Sequence, residues 1–305
     1  MDLHATVVAR HRAAISEFDR IIGQVAPGQW GLPTPCSEWD VRDLVNHVVG
    51  EALWTPPILA GRTIAEVGDA FDGDLLGENP WDVWTRAAAE AADSADADGV
   101  ATDIVHLSFG DIPALEYLRQ LTADYLVHAW DLATAIGVEA DLAPELVAST
   151  ATWFVDQAAA YRGAGAVAAE VPAASDADPQ DRLVAMFGRD PVQARTIAAV
   201  ERFDAAFGRR DVDGVMAAMT EDCVFESTAP PDGERYEGQT AVRALWTEFF
   251  SAPGELAFET EERIVAGDRL VSRWIYRWAD GHVRGVDVFR VEGTLVAEKA
   301  SYVKG

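Results

Sequence analysis

The sequence predicts two domains of different class: an all-α domain over residues 1–191 and an α+β domain over residues 192–305. In the first, apolar residues recur every three or four positions through several long segments, which is the pattern of packed amphipathic helices. In the second, helical segments precede runs of alternating apolar and polar residues, which indicates an antiparallel sheet. The pattern changes near residues 188–191, and a chain of 305 residues is long enough for two cores.

Helical periodicity predicts a first helix near residues 4–25. A second helix is expected to begin at Ser37, because Asp40 follows three residues later in a capping-box arrangement. The dipeptide Pro56-Pro57 is expected to end that helix, since proline lacks the backbone N–H that a helix interior needs.

After an irregular stretch, a third helix is predicted to follow Pro80. A fourth begins with Asp111 as its N-cap and ends at Gly137, because glycine commonly terminates helices. Further helices are predicted over residues 144–161 and through residues 183–187. Several long helices with this periodicity are typical of a helical bundle.

The second domain is predicted to alternate between helices and strands before it closes with strands alone. The predicted helices cover 194–207, 212–219 and a segment near 240–251, and the predicted strands cover 223–226, 256–264, 270–278, 282–291 and 295–303.

The composition excludes several classes of partner. A formal net charge of −27 disfavours nucleic acid and anionic membrane surfaces. No stretch approaches the roughly 18 consecutive apolar residues of a membrane-spanning helix. The N-terminus lacks the charged and apolar regions of a signal peptide, and two cysteines are too few for a disulfide framework. We therefore expect a cytoplasmic protein.

Two helix flanks carry the candidate site of the first domain. On the fourth helix, Asp124 and His128 are four residues apart and lie one turn apart on the same face. On the second helix, His47, Glu51 and Trp54 follow at spacings of four and three. If the flanks face each other, His47, Asp124 and His128 supply two nitrogens and one oxygen to a metal ion. Zinc accepts that set and keeps a position for water or a thiolate, and nickel or iron(II) is the alternative.

The same spacing also has a purely structural interpretation, in which each histidine is half-buried and hydrogen-bonded to a nearby carboxylate. Spacing alone does not decide between the two. Glu51 competes with Asp124 as the carboxylate ligand, and Asp131 either orients His128 or is an ordinary surface acid. Cys36 precedes a helix N-terminus, which favours a thiolate. No histidine is predicted beside Cys36, however, so we do not expect it to be a nucleophile.

A resemblance to a known family rests on two motifs: Thr34-Pro-Cys-Ser-Glu-Trp-Asp-Val-Arg-Asp-Leu-Val-Asn-His47 and Asp124-x-x-x-His128-Ala-Trp-Asp-Leu132. Together they resemble the DinB-like metal-binding superfamily, and within it the mycothiol-dependent maleylpyruvate isomerase N-terminal group, over about residues 1–191. The resemblance implies a four-helix bundle that binds a metal, usually zinc. The ligands it implies here are His47, Asp124 and His128, with Asp124 where the isomerases have glutamate. It also implies a low-molecular-weight thiol such as mycothiol as cosubstrate.

A second resemblance, over about residues 194–305, rests on Phe203-Asp-Ala-Ala-Phe-Gly-Arg-Arg-Asp211 and Gly285-Val-Asp287-Val-Phe-Arg-Val. These motifs resemble the SnoaL-like branch of the nuclear-transport-factor-two-like superfamily. The resemblance implies a curved sheet that wraps helices into a cone with an apolar pocket. Compared with ketosteroid isomerases, Asp287 matches the acid that stabilises the oxyanion and is a candidate catalytic residue. Phe203 and Ser227 stand where those enzymes have a tyrosine and the general base, so steroid isomerisation by that mechanism is not expected.

The function expected from these features is thiol-dependent transfer or isomerisation of a small electrophilic molecule at a metal in the first domain. One alternative is a non-catalytic protein that binds a small apolar molecule in the second-domain pocket. Another is a cyclase or hydrolase centred on Asp287. Each implies a small-molecule partner, and because both families often form dimers, we expect a homodimer.

Overall fold

The structure is a computed structural model that describes residues 3–251, 258–278 and 280–304. The first two residues of the strand predicted over 256–264 lie outside the described residues. None of the helices in the described part of the chain is both long enough and apolar enough to cross a membrane.

The chain forms two compact units. The first contains Met1–Ala133 and Ala140–Arg189, and the second contains Thr134–Glu139 and Asp190–Gly305. The first unit is predominantly helical and the second combines helices with a six-stranded sheet, so both predicted fold classes are confirmed. The domain limits of 1–191 and 192–305 stay a prediction.

Long amphipathic helices dominate the first unit, and their apolar faces form its core. Phe18, Trp84 and Tyr125 are fully buried there, with ring centroids 4.8 Å apart for the first pair and 6.1 Å for the second. The helices are α1 (Leu3–Ile22), α2 (Val41–Leu59), α3 (Ile64–Val67), α4 (Pro80–Ala95), α5 (Ala114–Ile136), α6 (Pro144–Gly163) and α7 (Pro179–Met186).

The start of α2 corrects the predicted capping residue. The N-cap is Asp40 rather than Ser37: its side chain accepts from the Asp43 backbone N–H at 2.9 Å, and the Asp43 carboxylate accepts from the Asp40 N–H at 3.2 Å. Glu38 adopts a left-handed conformation, with φ at 72°. That conformation, which is uncommon outside glycine, interrupts any helix that would begin at Ser37.

The predicted end of α2 at Pro56-Pro57 is wrong, because the helix continues for two further residues. Each proline removes a backbone donor. Their carbonyls still accept hydrogen bonds, from the N–H groups of Ala60 and Arg62 at 3.0 Å in both cases. Ile58 is buried, and burial of this turn offsets the lost hydrogen bonds.

The predicted N-cap of the fourth helix, Asp111, lies instead in a short hairpin. Strands β1 (Ile104–Leu107) and β2 (Gly110–Pro113) pair antiparallel, with His106 opposite Asp111. The helix α5 begins only after this hairpin. Four-residue strands are too short to show a clear alternation, so the helix-start signals at Asp111 dominated the prediction.

The second unit is a curved sheet with helices on one face. The four closing strands form the predicted antiparallel meander, while β8 also pairs in parallel with β3, and the three-residue β4 was not predicted. The sheet order is β4-β3-β8-β7-β6-β5. The elements are α8 (Pro191–Gly208), α9 (Val212–Ala217), β3 (Met219–Glu226), β4 (Arg235–Glu237), α10 (Gly238–Ser251), β5 (Phe258–Ala266), β6 (Arg269–Trp278), β7 (Gly281–Glu292) and β8 (Leu295–Val303).

Candidate functional site

Helices α2 and α5 present their polar flanks to one open cleft of about 870 Å³ in the first unit. From α2 the cleft is lined by His47, Glu51 and Trp54, and from α5 by Asp124 and His128. The structure therefore brings together the two flanks that carry the sequence-predicted ligands.

Asp124 lies between the two histidines. Its Oδ2 atom is 3.4 Å from His47 Nε2, and its Oδ1 atom is 3.4 Å from His128 Nε2. One donor atom from each residue lies within 4.8 Å of the others. The Oδ2 atom is buried and has no hydrogen-bond partner, an unfavourable state for a carboxylate oxygen.

This donor set fits a divalent metal ion. Two imidazole nitrogens and one carboxylate oxygen are accepted by zinc, iron(II) and nickel. Coordination would also satisfy the buried Oδ2 atom of Asp124, which makes no hydrogen bond. Three protein ligands leave a coordination position for a small molecule.

Asp131 holds the opposite side of the His128 ring. Its side chain has no exposed surface, and its Oδ2 atom is 3.1 Å from His128 Nδ1. A proton held on Nδ1 leaves the Nε2 lone pair free on the side of Asp124. The structure therefore favours the orienting role for Asp131 over that of a surface acid.

Arg189 and Cys36 complete this cluster. Arg189 donates from Nε to Asp131 Oδ1 at 3.2 Å and from Nη2 to Oδ2 at 2.7 Å. The Cys36 thiol donates a hydrogen bond to Asp131 Oδ2 at 3.2 Å, and its sulfur accepts one from Arg189 Nη2 at 3.2 Å. The expectation that no histidine lies beside Cys36 is wrong, because its Sγ atom is 3.7 Å from His128 Nδ1. Arg189 was not predicted as a site residue, since it lies in the segment near residues 188–191 where the sequence pattern changes.

The loop before α2 positions a tryptophan against both histidines. Thr34 and Trp39 close this loop through a backbone hydrogen bond of 3.0 Å, and the Thr34 hydroxyl donates to the Trp39 carbonyl at 3.0 Å. The Trp39 ring centroid lies 4.9 Å from that of His47 and 5.9 Å from that of His128. This packing restricts the rotation of both imidazoles.

Burial and neighbouring charges shift the pKa values of the carboxyl groups of the site in different directions. Burial, reinforced by the charge of Asp124, raises the pKa of Glu51 above its ordinary value. Burial acts in the same direction on Asp124, but the two histidines outweigh it and lower the pKa of that carboxyl. Burial of Asp131 is likewise outweighed by Arg189 and His128, which lower its pKa to about 2. Glu51 is therefore the carboxyl group of this site best able to carry a proton near neutral pH.

The second unit contains a separate cavity of about 500 Å³. Eight of its 21 lining residues are aromatic, among them Phe203, Phe207, Phe225, Trp246, Trp274 and Tyr276. Ser227 also lines it, so the two positions that depart from the ketosteroid isomerase pattern both face this space.

A row of polar residues crosses the sheet below these rings. In the strand register, Ser272 is opposite Asp287, and Asp287 is opposite Ser301. Asp287 accepts from the Ser301 hydroxyl at 2.7 Å and pairs with Lys299 Nζ at 2.8 Å. These contacts suit an ionised carboxylate that accepts protons rather than a neutral acid that donates one. Asp204 also lines the cavity, and burial, opposed by Arg263, raises its pKa to about 6.

Comparisons with known proteins match both units. The profile of the mycothiol maleylpyruvate isomerase N-terminal domain matches residues 11–133, and that of the SnoaL-like domain matches residues 200–299. Two uncharacterized proteins of Mycobacterium tuberculosis, MT0763 and Rv0738, are each 35% identical over 191 residues, which are 59% of this chain and 95% of the relative.

Among solved structures, an NTF2-like protein of unknown function from Mesorhizobium loti is 40% identical. The match covers 37% of this chain and 93% of that one, with a TM-score of 0.34. A steroid delta-isomerase from Pseudomonas aeruginosa is 19% identical over 38% of this chain and 83% of that one, with a TM-score of 0.32.

The first unit is thus of the class of helical proteins with a His/Asp/His cluster at a cleft. The chain belongs to the mycothiol maleylpyruvate isomerase N-terminal domain family and carries a SnoaL-like domain fused after it. These memberships support an isomerase-type or small-molecule-binding role.

Proposed function

We propose that the first unit binds one divalent metal ion, zinc foremost, through His47, Asp124 and His128. The proposed activity is thiol-dependent transfer to, or isomerisation of, a small electrophilic molecule. The observation that carries the proposal is the Asp124 carboxylate, held between two Nε2 atoms with one oxygen buried and without a hydrogen bond. The family match supports a thiol of the mycothiol type as cosubstrate.

The surrounding side chains have separate roles in this proposal. A bound metal ion of this kind lowers the pKa of a thiol or water molecule and thereby supplies a nucleophile. Asp131 keeps the Nε2 atom of His128 directed at the site, and Arg189 fixes Asp131. Glu51, with its raised pKa, exchanges a proton with the substrate in the cleft. Trp54 and Tyr117 form part of the wall that limits water around the reacting groups.

Metal analysis combined with a thiol assay tests the proposal. We expect about one metal ion per chain, as for a three-ligand site with an open position. We also expect metal-dependent conversion of a small electrophile such as maleylpyruvate in the presence of mycothiol, with the thiol consumed in a transfer and regenerated in an isomerisation. His47→Ala and His128→Ala should lose both. The control is His106→Ala, which removes an imidazole paired with Asp111 on the β1–β2 hairpin. A protein that neither binds metal nor converts the electrophile in a mycothiol-dependent way would contradict the proposal.

A second candidate function is favoured by the separate aromatic cavity of the second unit. There the protein would bind a small apolar molecule, or act on it as a cyclase or hydrolase with Asp287 as the proton acceptor. Asp287 faces the cavity and is held by Lys299 and Ser301. Loss of turnover in Asp287→Asn with metal content unchanged would place the activity in this cavity.

A further inference from the structure

The cavity of the second unit contains a buried primary amine. Only two of the 24 basic residues in the chain are lysines, Lys299 and Lys304. The Lys299 residue is only 6% exposed, which is rare for lysine unless the amine is paired. Arginine fills almost every other basic position, so the use of lysine at this one indicates a need that a guanidinium does not meet.

Strand register places the amine beside a proton acceptor. Lys299 and Ser301 are two residues apart on β8 and therefore point to the same face of the sheet. The Lys299 ammonium lies 2.8 Å from Asp287 Oδ2 and donates to the Ser301 hydroxyl at 2.7 Å. Ser301 in turn donates to Asp287 Oδ1 at 2.7 Å. A proton leaving the amine therefore has a carboxylate within direct reach.

The surroundings of the amine favour an apolar ligand that carries a hydrogen-bond acceptor. The Nζ atom lies 5.3 Å from the Phe225 ring centroid and 5.5 Å from that of Phe289. The indole N–H groups of Trp246 and Trp274 are buried without hydrogen-bond partners, although both side chains line the cavity. Buried donors of this kind are stabilised by an acceptor on a bound molecule, and a carbonyl oxygen is such an acceptor.

We propose that Lys299 is a covalent amine site that takes apolar aldehydes or ketones as imines. Asp287 accepts a proton from the Lys299 ammonium, and the neutral amine forms a C–N bond to the carbonyl carbon. The carbonyl oxygen takes up the proton held by Asp287 and a second proton from the attacking nitrogen and leaves as water, so that one ammonium ion and one carbonyl compound give one iminium ion and one water molecule. A lysine can undergo this reaction because its amine can be deprotonated, whereas an arginine cannot.

This site is separate from the His47, Asp124 and His128 cluster. The imine requires no metal, so its trapping can succeed or fail independently of the function proposed for the first unit.

Reductive trapping tests the proposal on the full-length protein. Cinnamaldehyde and sodium cyanoborohydride would be added, and the alkylated amines would be identified by peptide mass spectrometry. The exposed lysine, Lys304, is the internal control. We expect labelling of Lys299 to exceed that of Lys304 by about tenfold or more, because the cavity holds the apolar aldehyde beside the Lys299 amine. Labelling of Lys304 without Lys299 would overturn the proposal.

Two variants distinguish reaction at the Lys299 amine from entry of the aldehyde into the cavity. Lys299→Arg preserves the positive charge and should abolish alkylation at position 299 while the circular dichroism spectrum stays unchanged. Asp287→Asn keeps the side-chain shape but removes the proton acceptor, and should slow labelling of Lys299 by about a hundredfold. Formaldehyde, which is small enough to reach any amine, should label both lysines in the unmodified protein. Equal rates for cinnamaldehyde in the wild type and in Asp287→Asn would contradict the assigned role of Asp287.

Discussion

The Nδ1 atom of His128 lies 3.1 Å from the Oδ2 atom of Asp131, a carboxylate with no exposed surface. This contact fixes which imidazole nitrogen faces the candidate metal site. We predict that Asp131→Asn lowers affinity for zinc by about 10- to 100-fold, because outer partners of histidine ligands orient the ring and raise its basicity. Competition with a chromophoric chelator measures the change.

The control for this substitution is Asp111→Asn. Asp111 also contacts a histidine nitrogen, at 2.7 Å from His106 Nδ1, but in the exposed hairpin. Its replacement should leave zinc affinity unchanged. If the Asp131 and Asp111 variants bound zinc equally well, the orienting role of Asp131 would be wrong.

Arg189 is predicted to contribute strongly to the stability of the first unit. Arg189→Ala leaves the buried Asp131 without its cationic partner, and breaking a buried pair in this way costs about 3–5 kcal/mol. Arg42→Ala removes an exposed partner of Asp74 and should cost far less, because water screens exposed pairs. Urea unfolding of both variants tests the contrast, and a loss at Arg189 no larger than that at Arg42 would refute it.

We predict that the first unit becomes less stable as the pH decreases, because His11 is buried in its neutral form. Burial, aided by the positive charge of Arg12, lowers the pKa of His11 to about 4, and neither ring nitrogen has a hydrogen-bond partner. In the unfolded chain the His11 imidazole binds a proton below about pH 6.5, whereas in the folded protein the same imidazole stays neutral until about pH 4. The free energy of unfolding therefore decreases as pH falls through this window, by up to about 1.4 kcal/mol per pH unit.

His11→Phe should remove this dependence. Between pH 7 and pH 5, the free energy of unfolding of the wild type, measured with urea, should decrease by about 2 kcal/mol more than that of His11→Phe. His106→Phe, at an exposed histidine, controls for the general effect of replacing an imidazole. Parallel pH profiles for the wild type and His11→Phe would show that His11 does not stay neutral in the folded protein.

Gly285 allows Trp274 to lie against the sheet. The two residues are opposite each other on β7 and β6, and a Cβ atom at Gly285 would fall 2.1 Å from Trp274 Cζ2. Gly285→Ala should displace the indole and cost about 1–3 kcal/mol, as overpacking does. At Gly208 a Cβ atom meets nothing within 4 Å, so Gly208→Ala is the matched control. Urea unfolding and tryptophan fluorescence would show the difference, and identical behaviour of the two variants would contradict it.

Much of the fold was predictable because its signals are local. Gly137, with φ at 81°, ends α5 as predicted, and the strand predicted over 295–303 is confirmed as β8. Predictions were wrong where distant or irregular structure outweighed a local signal. Ser37 is a good capping residue, but the left-handed Glu38 follows it. The Pro56-Pro57 dipeptide is a strong helix breaker, but the turn that follows is buried.

The candidate site was predictable only in part, for a similar reason. His128 and Asp124 are related by helical spacing, which is visible in the sequence. Arg189 is 153 residues from Cys36 and 58 residues from Asp131. No periodicity relates residues at such separations, and only the folded chain brings these three side chains into contact.

The proposed function requires His47, Asp124 and His128 to hold a metal ion with a position open to a thiol. The visible spectrum of the protein reconstituted with cobalt(II) tests it most directly. We predict the intense bands of a low-coordinate cobalt site, a sulfur-to-cobalt charge-transfer band when mycothiol is added, and neither feature in His128→Ala. A spectrum that resembles free aqueous cobalt, or one that thiol leaves unchanged, would contradict the claim.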